Sequence, residues 1–188
     1  MSYPVDKKAQ IHSELALVTP RLACFAAALT GSEAASHALL KATRNQVIAR
    51  ASRDRGHTPL VLWAFALMHG LWAARVKAQG ERQNAADPRL FLPRGGSNGD
   101  STNLNRLAKF IAQLPPQHRA TLHLVYGERL SYDEVAEIFA VPVSTVMTRL
   151  VRAHAALTRR SDQGITSSPA AGALHSTEDG MRGREWAA

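Results

Sequence analysis

With 188 residues, a net charge of +8 and a pI near 10.4, the chain has room for two small domains at most, and its charge favours an anionic partner. One cysteine, Cys24, excludes an internal disulfide or a thiolate metal cluster, and the eight histidines show no metal-ligand spacing. Cys24 lies in an apolar helical stretch and reads as a buried small hydrophobe.

The first residues, Met1 to Lys8, lack the apolar core of a signal peptide. Leu15, Val18, Leu22, Phe25 and Leu29 recur at helical spacing and predict a first helix that ends near Thr30-Gly31. A second starts around Ser32, carries Leu39, Leu40, Thr43 and Val47, and stops before Gly56. Thr58-Pro59 opens a third, the apolar run Leu60 to Ala74. At about 15 residues, broken by His69 and Gly70, that run falls short of the ~20 needed to cross a bilayer. It reads as a core helix, Trp63 and Trp72 included, so membrane insertion is not expected. These three helices make an N-terminal domain, residues 10–79.

Residues 80–102 carry glycines, prolines and polar side chains with no lasting period, the composition of a flexible linker. Leu104, Leu107, Ile111 and Leu114 open a second helical domain, 103–160. Past Arg160 the chain turns to Gly, Ser, Ala and Thr, and 161–188 reads as a disordered tail. Strand alternation persists nowhere, so the fold class is all-α: two small helical domains on a flexible linker.

The most informative stretch is Leu114 to Leu157. Ser131-Tyr132-Asp133-Glu134 is a capping box that starts a short helix, with Val135, Ile138 and Phe139 on one face. Pro142 disfavours helix at Val141 and can itself begin the next helix. Two helices joined so tightly must cross steeply, which is the plan of a helix-turn-helix. In the longer helix Val146, Leu150, Ala153 and Leu157 form a core stripe. Ser144, Thr148, Arg152 and Arg159 point the other way, with Thr145 and Arg149 on a flank. Small hydroxyls and arginines on one outward side suit a helix entering the major groove, where they meet phosphates and base edges.

These residues resemble region 4 of bacterial sigma factors, particularly the extracytoplasmic-function group. The pattern is carried by Leu114-Pro115-Pro116-Gln117-His118-Arg119, Leu130 to Ala136, Val141 to Val146, Arg149 and Arg152-Ala153. Ser144 and Met147 depart from it, standing where the family usually has Gly and a basic residue. The resemblance implies that Ser144, Thr145, Thr148, Arg149 and Arg152 read the −35 promoter element, and that the module touches the β flap of RNA polymerase.

The N-terminal domain is similar to region 2, through Leu22 to Gly31 and the apolar helix at Trp63 to Met68. Between them the family carries an acidic signature that docks on the β′ clamp helices. The aligned residues here are Ala38-Leu39-Leu40-Lys41-Ala42, so both acids are missing. Docking would then fall to Leu39, Leu40, Lys41 and Thr43, without complementary charge.

No phosphate-binding loop, metal motif or acid–base pair appears, so no catalytic residue, metal or cofactor is expected. The resemblance implies an alternative sigma factor of the bacterial cytoplasm that binds core polymerase and promoter DNA, with an anti-sigma factor as a further partner. Two other readings stay open. One is a sigma-like decoy that captures an anti-sigma factor, and the other is a helix-turn-helix repressor.

Overall fold

The computed structural model describes residues 7–79, 86–91 and 101–166. Every regular element among them is helical, as the periodicity predicts. Seven α-helices run in order: α1 (Lys7–Thr30), α2 (Glu33–Asp54), α3 (Leu60–Gln79), α4 (Ser101–Ala112), α5 (Pro116–Leu122), α6 (Tyr132–Phe139) and α7 (Val143–Thr166). A short 3-10 turn, Pro88–Phe91, precedes α4, and one turn of π-helix, His123–Gly127, extends α5.

The ends of these helices have local causes. α1 stops where Gly31 adopts a left-handed φ of +67° and its N–H donates to the Ala27 carbonyl. Ser32, in extended conformation, then begins α2. Pro116 occupies the first turn of α5, where a missing N–H costs nothing.

The first three helices pack on one another through Leu22, Phe25, Leu29, Leu39, Val47, Phe65 and Met68, all buried. α3 is 20 residues long, longer than its apolar run, and both it and α1 have the length and composition to span a bilayer. Here Ala64, Phe65, Met68 and Trp72 of α3 face the protein core instead, while Trp63 is half-buried.

The two halves share that core. Phe25 of α1 meets Phe65 of α3 edge-on at 5.0 Å, and its ring also lies 6.1 Å from His123 and 6.4 Å from Phe139. His69 of α3 makes an edge contact with Phe139 at 4.9 Å. The last turn of α6 is therefore seated on α1 and α3. Arg21 of α1 reinforces the contact, donating to the Glu128 carboxylate at 2.5 Å.

Residues 80–85 and 92–100 of the expected linker lie outside the described residues. The piece between them is docked: Ala86 is buried, its N–H donates to the Ala112 carbonyl, and the Asp87 N–H donates to Gly31. At the other end, α7 continues to Thr166, so six residues assigned to the tail are helical, and 167–188 lie outside the described residues.

Three side chains differ from expectation. Cys24 is exposed, because it falls on the solvent side of α1 while Phe25 takes the core position. Leu39 and Thr43, one turn apart, point inward and are closed to solvent. The Thr43 hydroxyl is satisfied by the Leu39 carbonyl at 2.9 Å. Neither side chain reaches the surface of this fold, whereas Leu40 of that set is half-buried and Lys41 is exposed.

Candidate nucleic-acid interface

The site begins with the cap of α6. The Ser131 hydroxyl accepts from the Glu134 N–H at 3.2 Å while the Glu134 carboxylate accepts from the Ser131 N–H at 2.8 Å, closing the predicted capping box. Val135, Ala136, Ile138 and Phe139 then turn into the core. The break that follows comes two residues ahead of Pro142. Ala140 takes a left-handed φ of +52°, and the Val141 N–H bonds back to Ala136. That geometry sets the direction of α7, with Pro142 accepting from the Thr145 N–H at 2.9 Å.

Along α7 the core stripe is Val146, Leu150 and Ala153, all buried, with Leu157 half-buried. The opposite side presents Ser144, Thr148, Arg152 and Arg159 to solvent. The Thr148 hydroxyl donates to the Ser144 carbonyl at 2.8 Å, so its proton is spent on the helix backbone.

Thr145 and Arg149 are half-buried on the flank toward α6. The Arg149 guanidinium lies over the Phe139 ring, 5.2 Å from its centroid, and its buried Nη1 has no hydrogen-bond partner among the described residues. The sequence places Arg149 on this flank, and the structure keeps it there, folded back toward the α3–α6 contact.

Electrostatics around this flank are strongly cationic. Burial, then the Arg149 charge, lowers the pKa of His69 to about 4, so this imidazole is neutral at pH 7. His118 on α5 is lowered by burial and then by Arg149 and Arg152. Burial also lowers Arg149 itself.

Beneath the helix-turn-helix sits a residue whose role the sequence concealed. Arg119 is 3% exposed and crosses from α5 to the end of α1. Its Nε donates to the Ala28 carbonyl at 2.9 Å and Nη1 to the Leu114 carbonyl at 2.5 Å. Phe91 covers the guanidinium, 5.9 Å from ring centroid to its carbon. Burial lowers its pKa to about 10, which leaves it charged at neutral pH. A cation at two helix C-termini complements their dipoles.

Glu128 is held by the same junction. Burial pushes its carboxyl up, but Arg21 and His123 outweigh that and bring it below the ordinary carboxylate range. His123 Nε2 stands 3.4 Å from Oε1, too poorly aligned for a hydrogen bond, so Arg21 is the stronger partner. Among the described residues no three His, Cys, Asp or Glu side chains gather as a metal site.

Against known proteins, residues 104–157 match the family model for sigma-70, region 4. No curated protein matches the chain. A similar solved structure is that of the sigma factor RpoE, in complex with the anti-sigma factor NepR, from Bartonella quintana. It is 20% identical, with a TM-score of 0.67 over 81% of this chain and 97% of that one, a likeness of fold. Residues 104–157 thus carry a sigma-70 region 4 module, and the chain shares its fold with a solved sigma factor.

Proposed function

We propose that the protein is an alternative sigma factor: it binds core RNA polymerase and directs transcription initiation from promoters with −35 and −10 elements. The observation that carries this reading is the outward side of α7, where Ser144, Thr148 and Arg152 stand exposed on a helix aimed by a capped α6. Phosphates and base edges are the natural partners of that set. Residues 103–160 would take the −35 element and the β flap. Residues 10–79 would take the β′ clamp helices through Leu40 and Lys41 and open the −10 element. The protein would act by binding alone, in the bacterial cytoplasm.

Run-off transcription with purified core enzyme and a genomic DNA library tests this. Discrete starts that require the protein support it, and their absence refutes it.

A second reading has one observation in its favour. The exposed side of α2 forms a groove lined by His37, Leu40, Lys41, Arg44, Asn45 and Ile48, which keeps the cations Lys41 and Arg44 while the family's carboxylates are missing. Like charge across a polymerase interface would cost several kcal/mol. A decoy that captures an anti-sigma factor, such as the one bound to the structural relative, needs no such docking. Co-elution with core polymerase separates the two: a sigma factor co-elutes, and a decoy does not.

A further inference from the structure

The exposed side of α7 is not uniformly polar. Met147 is 51% exposed and Val151 is 68% exposed, one turn apart on the same side. At about 100° per residue, Val151 lies between Met147 and Thr148 in angle and beside Ser144, well inside the outward sector. Thr148 adds a methyl to this strip, since its hydroxyl proton is already given to Ser144.

The middle of the outward side therefore carries three apolar groups, bounded by the Ser144 hydroxyl and the Arg152 cation. No packing need explains them, because Val146, Leu150 and Ala153 already fill the core stripe. Two neighbouring large apolar side chains left in water on a basic helix call for a ligand that is anionic at its edges and apolar at its centre.

Duplex DNA offers that combination in one place. Phosphates line the walls of the major groove, and the only apolar feature on its floor is the C5 methyl of thymine. We infer that Met147 and Val151 are specificity-determining residues that read thymine methyl groups, making the sequence recognised by α7 thymine-dependent where these side chains touch the groove floor.

The inference rests on the DNA-reading role proposed above and deepens it. Ser144 and Arg152 would hold the helix against phosphate or a polar base edge, and the Met147–Val151 strip would choose the base between them. In that case the loss of a cation at position 147 exchanges uniform phosphate affinity for base selection.

The test removes the methyl alone. Full-length protein, alone and with purified core polymerase, is used to enrich duplexes from a random-sequence pool. A fluorescein-labelled enriched duplex is then remade with each thymine replaced in turn by deoxyuridine, and binding is followed by anisotropy. At one or two positions affinity should fall about fourfold per methyl removed. Val151→Ser and Met147→Gln should abolish that difference while binding both duplexes. Both side chains are exposed, so neither substitution touches the core, and circular dichroism verifies folding.

Equal binding of thymine and deoxyuridine duplexes at every position overturns the inference and leaves DNA reading intact. Enrichment of no duplex at all overturns both. Variants that keep the methyl preference but lose co-elution with polymerase would make the strip a protein contact, which also overturns it.

Discussion

Replacing Arg119 by Ala should cost about 3 kcal/mol of folding stability and loosen both halves together. Two of its hydrogen bonds are close enough to count, to Ala28 at 2.9 Å and the short one to Leu114 at 2.5 Å, while the approach to Ala112 at 3.4 Å is too long to weigh much. Bonds from a charged donor contribute about 1.5–3 kcal/mol each, and truncation leaves their buried carbonyl partners unpaired. Against that stands the desolvation of the guanidinium, whose Nη2 has no hydrogen-bond partner among the described residues and whose pKa burial has lowered to about 10. The alanine variant is relieved of that cost, which brings the net loss from about 3–6 to about 3 kcal/mol. Urea unfolding followed by far-UV circular dichroism would show it as a midpoint lowered by roughly 1–2 M. Because Phe25, Phe65, His123 and Phe139 form one cluster across both halves, wild type and variant should each unfold in a single transition. Arg119→Lys, which keeps the charge but loses the fork, should recover less than half of the difference. A loss below about 1 kcal/mol, or separate transitions for the two halves in wild type, would refute this account.

Neighbouring features give further outcomes. Gly31→Ala would place a Cβ 2.5 Å from that of Ala86 at a φ of +67°, and should cost about 2–3 kcal/mol. Gly56→Ala, at +59° with open space around it, should cost only about 1 kcal/mol of strain; thermal melts of the pair separate crowding from backbone strain. His69 has a folded pKa of about 4 against an ordinary 6.5, so the unfolded chain binds a proton there that the folded chain refuses. Its contribution is complete above pH 6.5 and is lost as pH falls toward 4, to a total of about 2–3 kcal/mol. His69→Gln should flatten the stability difference between pH 7 and pH 4.5, and an unchanged slope would count against it. Ser131→Ala removes one arm of the capping box and should cost about 1 kcal/mol, read as a lower urea midpoint.

Helices and their starts were legible because their causes are local. Helical spacing of Leu15, Leu22 and Leu29, the Ser131–Glu134 box, and the Val146, Leu150 and Ala153 stripe each need only a few neighbouring residues to be recognised. Partners across the chain were not legible. Periodicity tells that Phe139 is buried, but not that α1 and α3 bury it, and among the described residues one buried cluster runs through both halves. Arg119 looks like any basic residue on a short helix, since the carbonyls that hold it lie 91 and 5 residues away. Alignment with a motif points Leu39 and Thr43 toward a docking surface, although both follow the inward register of Val47. Val151 could have been found, because its helical angle places it among the outward residues of α7.

The shared core changes what each arginine of α7 costs to use. Arg152 is exposed and, among the described residues, has no ring contact like that of Arg149 to leave before it meets a phosphate. Arg149 must first leave the Phe139 face, where the cation–π contact at 5.2 Å is worth about 0.5–2 kcal/mol. A charge-assisted bond to phosphate returns about 1.5–3 kcal/mol, and the departing guanidinium also gives its unpaired Nη1 a partner. The exchange is favourable or neutral, so under the proposed reading Arg149 is recruited by DNA rather than poised for it. Phe139 in turn meets His69 edge-on, which makes the seat of Arg149 depend on α3. Anything that moves α3 away from α6 therefore lowers the barrier to that recruitment, and coupling between the N-terminal half and DNA affinity should run through Arg149 but not through Arg152.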